Sequence, residues 1–258
     1  MSLEIGGISL LIEEKKTTFI NSLKKEYETF LVDGFLKDKV KVFISHSKLK
    51  VSEDIFIKKA RGNVFSLGGE GFRGFFNRGK NSAYVNIDYR EGVFDTFLRV
   101  LYSLLLVLNR GVLLHSLGLA KDNQGYIFIG PSSSGKTTLA KKIKGFSVLS
   151  DELVIVRRLK ERFYIFSTPF GGEYRAKVKN LSVPLKKVFF LKRQRDSNYK
   201  RERPCKAFIG ILENTFFFLK DKVYIEKIID IAKGLVESFP IGKVDISANF
   251  EDVKIFGN

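Results

Sequence analysis

The stretch from Tyr126 to Ile143, YIFIGPSSSGKTTLAKKI, contains the residues whose types and spacing most clearly predict chemistry. Its central part, GPSSSGKT, matches the pattern G-x-x-x-x-G-K-[ST] at every fixed position. In that pattern backbone N–H groups point at phosphate oxygens, the lysine reaches the β- and γ-phosphates, and the last hydroxyl coordinates Mg²⁺. YIFI predicts the preceding strand and TTLAKKI the following helix. We therefore predict a nucleotide-binding loop made by Gly130, Pro131, Ser132, Ser133, Ser134, Gly135, Lys136, Thr137 and Thr138.

Two acidic residues and a histidine accompany this loop. Asp151 and Glu152 lie inside the apolar stretch FSVLSDELVIVRR, which the charged tip LKER turns back into FYIFST. This pattern predicts an acidic pair within a β-hairpin and favours a mixed sheet over a doubly wound parallel one. His115 lies in the apolar strand GVLLHSLGLA, where a lone histidine is more often a satisfied core residue. Beside a γ-phosphate, a carboxylate can take the proton of an attacking hydroxyl, and a histidine can orient that carboxylate.

The elements that must position these residues follow from periodicity and turn signals. Apolar spacing predicts a helix within residues 17–32 and another at about 93–109. The segment after the acidic pair ends in an amphipathic helix, YIEKIIDIAKGLV, and a closing strand, IGKVDIS. The fold class predicted is mixed α/β. We predict two domains, a small N-terminal α+β lobe at 1–92 and a nucleotide-binding domain at 93–258.

Three glycines in the N-terminal lobe, Gly69, Gly71 and Gly74, spell a second phosphate-binding pattern, G-x-G-x-x-G. In dinucleotide-binding proteins that pattern follows a parallel strand and opens a helix. Here FFNRGKNSAYV predicts a turn and a strand instead. We therefore expect turn glycines and no nucleotide contact.

The composition limits the classes of binding partner but does not identify one of them. The 258 residues carry a net charge of +17, and nine Lys or Arg between Lys186 and Lys206 face only Asp196 and Glu202. That basic segment either closes over a triphosphate or an acidic substrate, or is a solvated loop. The rest of the charge is spread as on a solvated surface, so we do not expect a nucleic-acid partner. No apolar run suggests a membrane span or a signal peptide, and the single Cys205 fits a reducing cytoplasm.

The chain resembles the HPr kinase/phosphorylase-related family in the order of three features: His115, the loop from Gly130 to Thr137, and the pair Asp151-Glu152. The resemblance covers roughly residues 94–173. It implies a P-loop fold with a mixed β-sheet core and flanking helices, similar to phosphoenolpyruvate carboxykinase. The HPr kinases themselves carry Asp where this chain has Glu152. Family members form homo-oligomers, although no interface residue here supports carrying that property over.

The resemblance also implies a reaction: ATP- and Mg²⁺-dependent transfer of the γ-phosphoryl group to a hydroxyl, such as serine of a protein, a peptide or the free amino acid. Asp151 would be the general base, Glu152 and Thr137 would bind the metal with it, and His115 would orient Asp151. Glu173 and Arg175 are similar to a loop acid and arginine of the family, with a surface ion pair as the equal alternative. Two other classes stay open: another NTPase on the same loop, and a non-catalytic nucleotide-binding regulatory module with a basic partner-binding surface.

Overall fold

The computed structural model describes residues 1–34, 39–49, 54–132, 134–174, 178–192 and 200–245. The chain forms two compact units. The first contains residues 1–109 and 217–226, and the second contains the remaining described residues. Within the described residues, no helix is both long enough and apolar enough to cross a membrane.

The first unit contains a seven-stranded mixed sheet and two helices. Its helices are α1 (Thr17–Glu26) and α2 (Val93–Leu108), and a short 3-10 turn (Glu28–Phe30) follows α1. Its strands are β1 (Ser2–Ile5), β2 (Ile8–Glu13), β3 (Val40–His46), β4 (Phe56–Lys59), β5 (Val64–Gly69), β6 (Phe72–Asn77) and β7 (Ser82–Ile87). The spatial order is β1-β2-β3-β7-β6-β5-β4, in which β3 runs parallel to both β2 and β7.

One face of this sheet is covered by α2. Alternate strand residues such as Leu10, Val42 and Leu67 are fully or almost fully buried, as a half-buried sheet requires. Helix α2 packs against β5 and β6, and the Tyr102 hydroxyl donates to the carbonyl of Ile8 at 2.9 Å. These contacts place α2 in the first unit, whereas the sequence-based boundary at residue 92 assigned it to the second domain. The two-domain division itself stays a prediction.

The second unit contains an eight-stranded mixed sheet. Helices α3 (Lys136–Lys142) and α4 (Pro204–Glu213) belong to it, and helix α5 (Lys222–Ser238) begins in the first unit and continues into the second. The strands are β8 (Gly111–Lys121), β9 (Gln124–Ile129), β10 (Ser147–Ser150), β11 (Leu153–Leu159), β12 (Arg162–Phe166), β13 (Ser182–Lys192), β14 (Lys200–Arg201) and β15 (Gly242–Asp245).

Two long strands, β8 and β13, organise this sheet. Strand β8 pairs through residues 111–115 with β11 and through residues 116–121 with β9. Strand β13 pairs first with β12, then with β9, and finally with β15. The pairings β8–β9–β13–β12–β11–β8 therefore close a ring. Strands β9, β13 and β15 are parallel and the others antiparallel, which confirms the predicted mixed α/β architecture.

Two sequence interpretations are corrected by this topology. The acidic pair does not lie inside a continuous hairpin strand. It occupies a break between β10 and β11, which pair with separate parts of β8, residues 118–120 and residues 111–115. The step in register lies within β10, between Val148 and Ser150. The basic segment at 186–206 is not a single loop either. Its first residues belong to β13, its later residues form β14 and begin α4, and residues 193–199 lie outside the described part of the chain.

The second glycine pattern is a structural feature of a β-hairpin. Gly69 ends β5, Gly71 has a φ of 76° in the connecting turn, and Gly74 lies inside β6. The next element in the chain is β7 and not a helix, which confirms the expected strand. A Cβ atom on Gly74 would lie 2.2 Å from the carbonyl oxygen of Tyr84 on β7. Gly74 is thus required for the close approach of two strands.

Replacing Gly74 by alanine is expected to lower the free energy of unfolding by about 2 kcal/mol or more, because the clash is with backbone atoms that cannot rotate away. Urea denaturation measures the change. Gly79→Ala is the matched control, since its Cβ would have no neighbour nearer than 3.5 Å. Equal stability of the two variants would contradict this explanation of Gly74.

Candidate functional site

The loop from Gly130 to Gly135 connects β9 to α3 at one end of the second unit's sheet. Its last residue, Gly135, has a φ of 94°, a left-handed conformation that a glycine adopts without steric cost. The N–H group of Ser134 donates to the carbonyl of Pro131 at 3.1 Å, which tightens the loop. Leu139 of α3 is fully buried in the cluster that contains Phe128 of β9, so the helix holds the loop against the sheet.

The side chain of Lys136 lies inside this loop. Its ammonium group donates to the carbonyl of Gly130 at 2.6 Å and to that of Pro131 at 3.1 Å. Burial lowers the pKa of Lys136, and the nearby carboxylates of Asp151 and Glu152 act in the opposite direction. The loop thus surrounds a buried cation with its own carbonyl oxygens.

The hydroxyl of Ser134 is the clearest unfilled polar group of the loop. Its Oγ is buried and has no hydrogen-bond partner among the residues that the structure describes. A Cβ atom on Gly130 would lie 2.6 Å from this oxygen, so a larger residue at 130 would clash with the Ser134 side chain. A buried hydroxyl without a partner is costly, and a ligand oxygen would satisfy it.

Asp151 is the most constrained side chain of the site. It is only 4% exposed, and its carboxylate accepts three hydrogen bonds. The backbone N–H of Gly172 donates to Oδ1 at 2.8 Å, and that of Tyr174 donates to Oδ2 at 3.0 Å. The hydroxyl of Thr137, at the start of α3, donates to Oδ2 at 3.3 Å. The structure therefore brings together the two ends of the predicted site, the loop and the acidic pair.

Hydrogen bonds hold the loop after β12 against the break between β10 and β11. The N–H of Thr168 donates to the carbonyl of Leu149, and the Thr168 hydroxyl donates to that of Leu153. The Ser150 hydroxyl donates to the carbonyl of Phe170. The oxygen of the same hydroxyl accepts hydrogen bonds from the N–H groups of Glu152 and Leu153. These contacts hold Gly172 and Tyr174 in place as donors.

The other residues predicted for the site differ in burial and in their position relative to Asp151. His115 is half-buried on β8 and pairs with Leu153, two residues after Asp151. Glu152 follows Asp151 directly, and its carbonyl accepts from the N–H of Ser116 at 2.9 Å. Glu173 is exposed between the two backbone donors. Pro131, Ser132 and Thr138 are exposed, while Ser133 and Arg175 lie outside the described residues.

Sequence reasoning missed the role of the backbone at Gly172 and Tyr174. It selected TPFGGEYR for the side chains of Glu173 and Arg175, whereas the structure uses the main chain on either side of Glu173. The adjacent glycines of that segment were the available signal, because a tight loop can turn its N–H groups towards an anion.

A cavity of about 820 Å³ opens beside the first half of the loop. Phe190, Ile209 and Gly210 supply an apolar wall, and Lys192, Lys206 and Lys243 supply positive charge. Glu202 also lines the cavity and forms an ion pair with Lys243. The carboxylate of Asp151 is not part of this lining, so the loop borders both the cavity and the acidic centre.

Mg²⁺ usually binds one or two protein carboxylates together with substrate phosphates. Among the described residues, no group of three or more His, Cys, Asp and Glu side chains could hold a metal ion alone. Thr137 and Asp151 nevertheless place two oxygen donors side by side next to the loop.

Comparison of the fold with solved structures finds a similarity to the HPr(Ser) kinase/phosphatase from Coxiella burnetii. The two share 13% sequence identity over 47% of this chain and 87% of that chain, with a TM-score of 0.27. No protein-family model matches the sequence, and no curated protein matches it. What this chain does has to follow from its own site residues.

Asp151→Asn is expected to lower the free energy of unfolding by about 1–3 kcal/mol, because an amide has one oxygen where two backbone N–H groups require two. Urea denaturation in the absence of nucleotide measures this effect. Glu173→Gln is the matched control in the same loop and should change stability little. If Asp151→Asn were as stable as Glu173→Gln, the backbone contacts would not be what holds Asp151.

Proposed function

We propose that this chain is an ATP- and Mg²⁺-dependent kinase that transfers the γ-phosphoryl group to a hydroxyl, such as serine of a protein, a peptide or the free amino acid. The observation that carries the proposal is the contact between the Thr137 hydroxyl and the buried Asp151 carboxylate, directly beside the Lys136 loop. The loop pattern accounts for nucleotide binding alone. A fixed carboxylate beside it adds a group that can handle a proton.

The loop residues fit a triphosphate. Lys136 and the unfilled Ser134 hydroxyl would bind phosphate oxygens together with the backbone N–H groups of the P-loop, Gly130 to Thr137. Thr137 and Asp151 would hold Mg²⁺, and Glu152 would assist. Bound ATP supplies the phosphoryl group, and Mg²⁺ neutralises negative charge on its phosphates. We place the nucleoside in the adjacent cavity, whose volume lies in the range typical of ligand pockets.

Asp151 would act as the general base. An ionised carboxylate has about four lone-pair positions, and the backbone donors of Gly172 and Tyr174 occupy two of them. The other two would serve Mg²⁺ and the acceptor hydroxyl once the Thr137 hydroxyl binds the metal instead of Asp151. The acceptor hydroxyl would therefore give its proton to Asp151 as its oxygen bonds to phosphorus and the bond to the leaving ADP oxygen breaks. The two backbone donors keep the carboxylate aimed during this step.

His115 would orient this centre from β8. Its strand position opposite Leu153 and the bond between Ser116 and Glu152 join β8 directly to the acidic pair. The HPr-kinase-like order of His115, the loop and the acidic pair supports the same assignment. Serine is the proposed acceptor through that resemblance, and Glu173 lies on the loop that an acceptor would approach.

Lys136→Met is expected to weaken ATP binding in the presence of Mg²⁺ by about 10- to 100-fold, since it removes a charge-assisted bond to phosphate. Circular dichroism checks that the variant is folded, because the substitution also removes the hydrogen bonds to the carbonyls of Gly130 and Pro131. Isothermal titration calorimetry measures the affinity, with Lys141→Met on the exposed side of the same helix as the control. Unchanged affinity in Lys136→Met would contradict a phosphate role for this loop.

The wild-type chain should consume ATP with Mg²⁺ and form phosphoserine when free serine or a pool of serine-containing peptides is present. Asp151→Asn, assayed at saturating ATP and at a temperature at which circular dichroism shows it folded, should lose at least about 100-fold in rate. ADP formation that is independent of any acceptor would favour another NTPase. Tight ATP binding without turnover would favour a regulatory module.

A further inference from the structure

The first unit presents a row of aromatic rings on the sheet face opposite its buried side. Phe43 of β3, Tyr84 of β7 and Phe75 of β6 are directly opposite one another in register. The rings of Phe43 and Tyr84 stack with centroids 4.7 Å apart, and those of Tyr84 and Phe75 stack at 5.1 Å. The neighbouring residues on each strand, such as Val42, Val85 and Phe76, are buried. The three rings therefore form one continuous stack on the outer face.

This stack is exposed to an unusual degree for large side chains. Phe75 and Tyr84 are each 42% exposed. Cross-strand aromatic pairs stabilise a sheet, but pairing requires neither a third ring nor this exposure. A contiguous exposed aromatic surface on a soluble unit typically marks an interaction site.

One end of the stack has an open ring face. Tyr84 covers one side of Phe75, and the next strand places only the small Ser66 on the other side. Beyond Ser66, Phe56 of β4 lies over Gly68, where a Cβ atom would be only 2.4 Å from its ring. Ser66 is therefore bordered by Phe75 on β6 and by Lys58 on β4, and the ring of Phe56 lies beside it over Gly68.

Basic side chains border the row near Phe75 and Phe43, and the exposed Glu13 of β2 lies opposite Phe43 at its other end. Lys41 and Arg73 are exposed on the same face, and neither has an acidic partner among the described residues. Lys58, opposite Ser66 on β4, lies with its Nζ 5.1 Å from the centre of the Phe56 ring. A ligand that fits this face would combine flat aromatic groups with negative charge.

We propose that this sheet face, defined by Phe43, Tyr84, Phe75, Ser66 and their basic neighbours, binds single-stranded nucleic acid. An unpaired base would continue the stack on the open face of Phe75, and phosphates would contact Lys41, Arg73 and Lys58. Proteins that bind single strands combine aromatic stacking with a basic surface in this way. The spread of charge along the sequence disfavoured a nucleic-acid partner. The sequence could not reveal the row, because the rings come from three separate segments that only the strand register aligns.

Fluorescence anisotropy with labelled 12-nucleotide oligo-dT and oligo-U tests the proposal on the full chain. Either probe or both should bind at 50 mM salt, and comparison of the two distinguishes DNA from RNA. A duplex of the same length should bind at least about tenfold more weakly, because its bases are not free to stack. Saturating ATP with Mg²⁺ and the Lys136→Met substitution should leave probe binding unchanged, which separates this surface from the proposed kinase site.

Variants of the row give the decisive comparison. Phe75→Ala and Tyr84→Ala should each weaken probe binding by about 5- to 100-fold, the range expected for loss of one stacked base. Ser66→Leu should weaken it similarly by covering the open face of Phe75. Tyr84→Phe should bind within about twofold of wild type, as should Tyr89→Ala, an exposed aromatic residue of the same unit outside the row. Arg73→Gln should reduce the slope of log affinity against log salt by about one.

Each contrary result overturns the proposal. Absence of binding at 50 mM salt, equal binding of the duplex, or competition by ATP would each do so. Unchanged affinity in Phe75→Ala, with its circular dichroism spectrum preserved, would exclude the stacking face. A dimer that Tyr84→Ala converts to a monomer would assign the surface to a second copy of this chain.

Discussion

The carboxylate of Asp151 accepts hydrogen bonds from the backbone N–H groups of Gly172 and Tyr174, and the whole candidate site is arranged around this contact. A buried carboxylate needs such donors, because unpaired burial of charge is costly. The donors in turn require the loop after β12 to cross the break between β10 and β11. Thr168 and Ser150 fasten that loop through main-chain carbonyls. The acidic centre is thus held by hydrogen bonds within the second unit.

Strand β8 is what makes the break possible. Along one edge, β8 pairs with β11 through its first half and with β10 near its end. Along the other edge, the second half of β8 pairs with β9. Because β9 leads directly into the Lys136 loop, one strand aligns the loop and the acidic pair. Helix α3 separates these two features along the chain, and the pairing of both β9 and β10 with β8 brings them within hydrogen-bond distance.

The two units offer different chemistry on one strongly basic chain. In the second unit, Lys192, Lys206 and Lys243 line the cavity beside the loop, and Lys136 lies inside the loop itself. In the first unit, Lys41 and Arg73 border a flat aromatic surface. The net charge of +17 is compatible with both surfaces and does not show which anion either of them binds. Shape and neighbouring side chains decide which anion each surface suits.

The sequence by itself determined the strand, loop and helix around Lys136, since both the glycine spacing and the flanking apolar pattern are local. It also determined helix α2 and the mixed character of the second sheet. It could not place Asp151 at a break between strands, because that break depends on which part of β8 each strand pairs with. The backbone donors of Gly172 and Tyr174 and the row of Phe43, Tyr84 and Phe75 were likewise decided only by tertiary structure. Main-chain donors leave no trace in residue type, and cross-strand neighbours are set by register between distant segments.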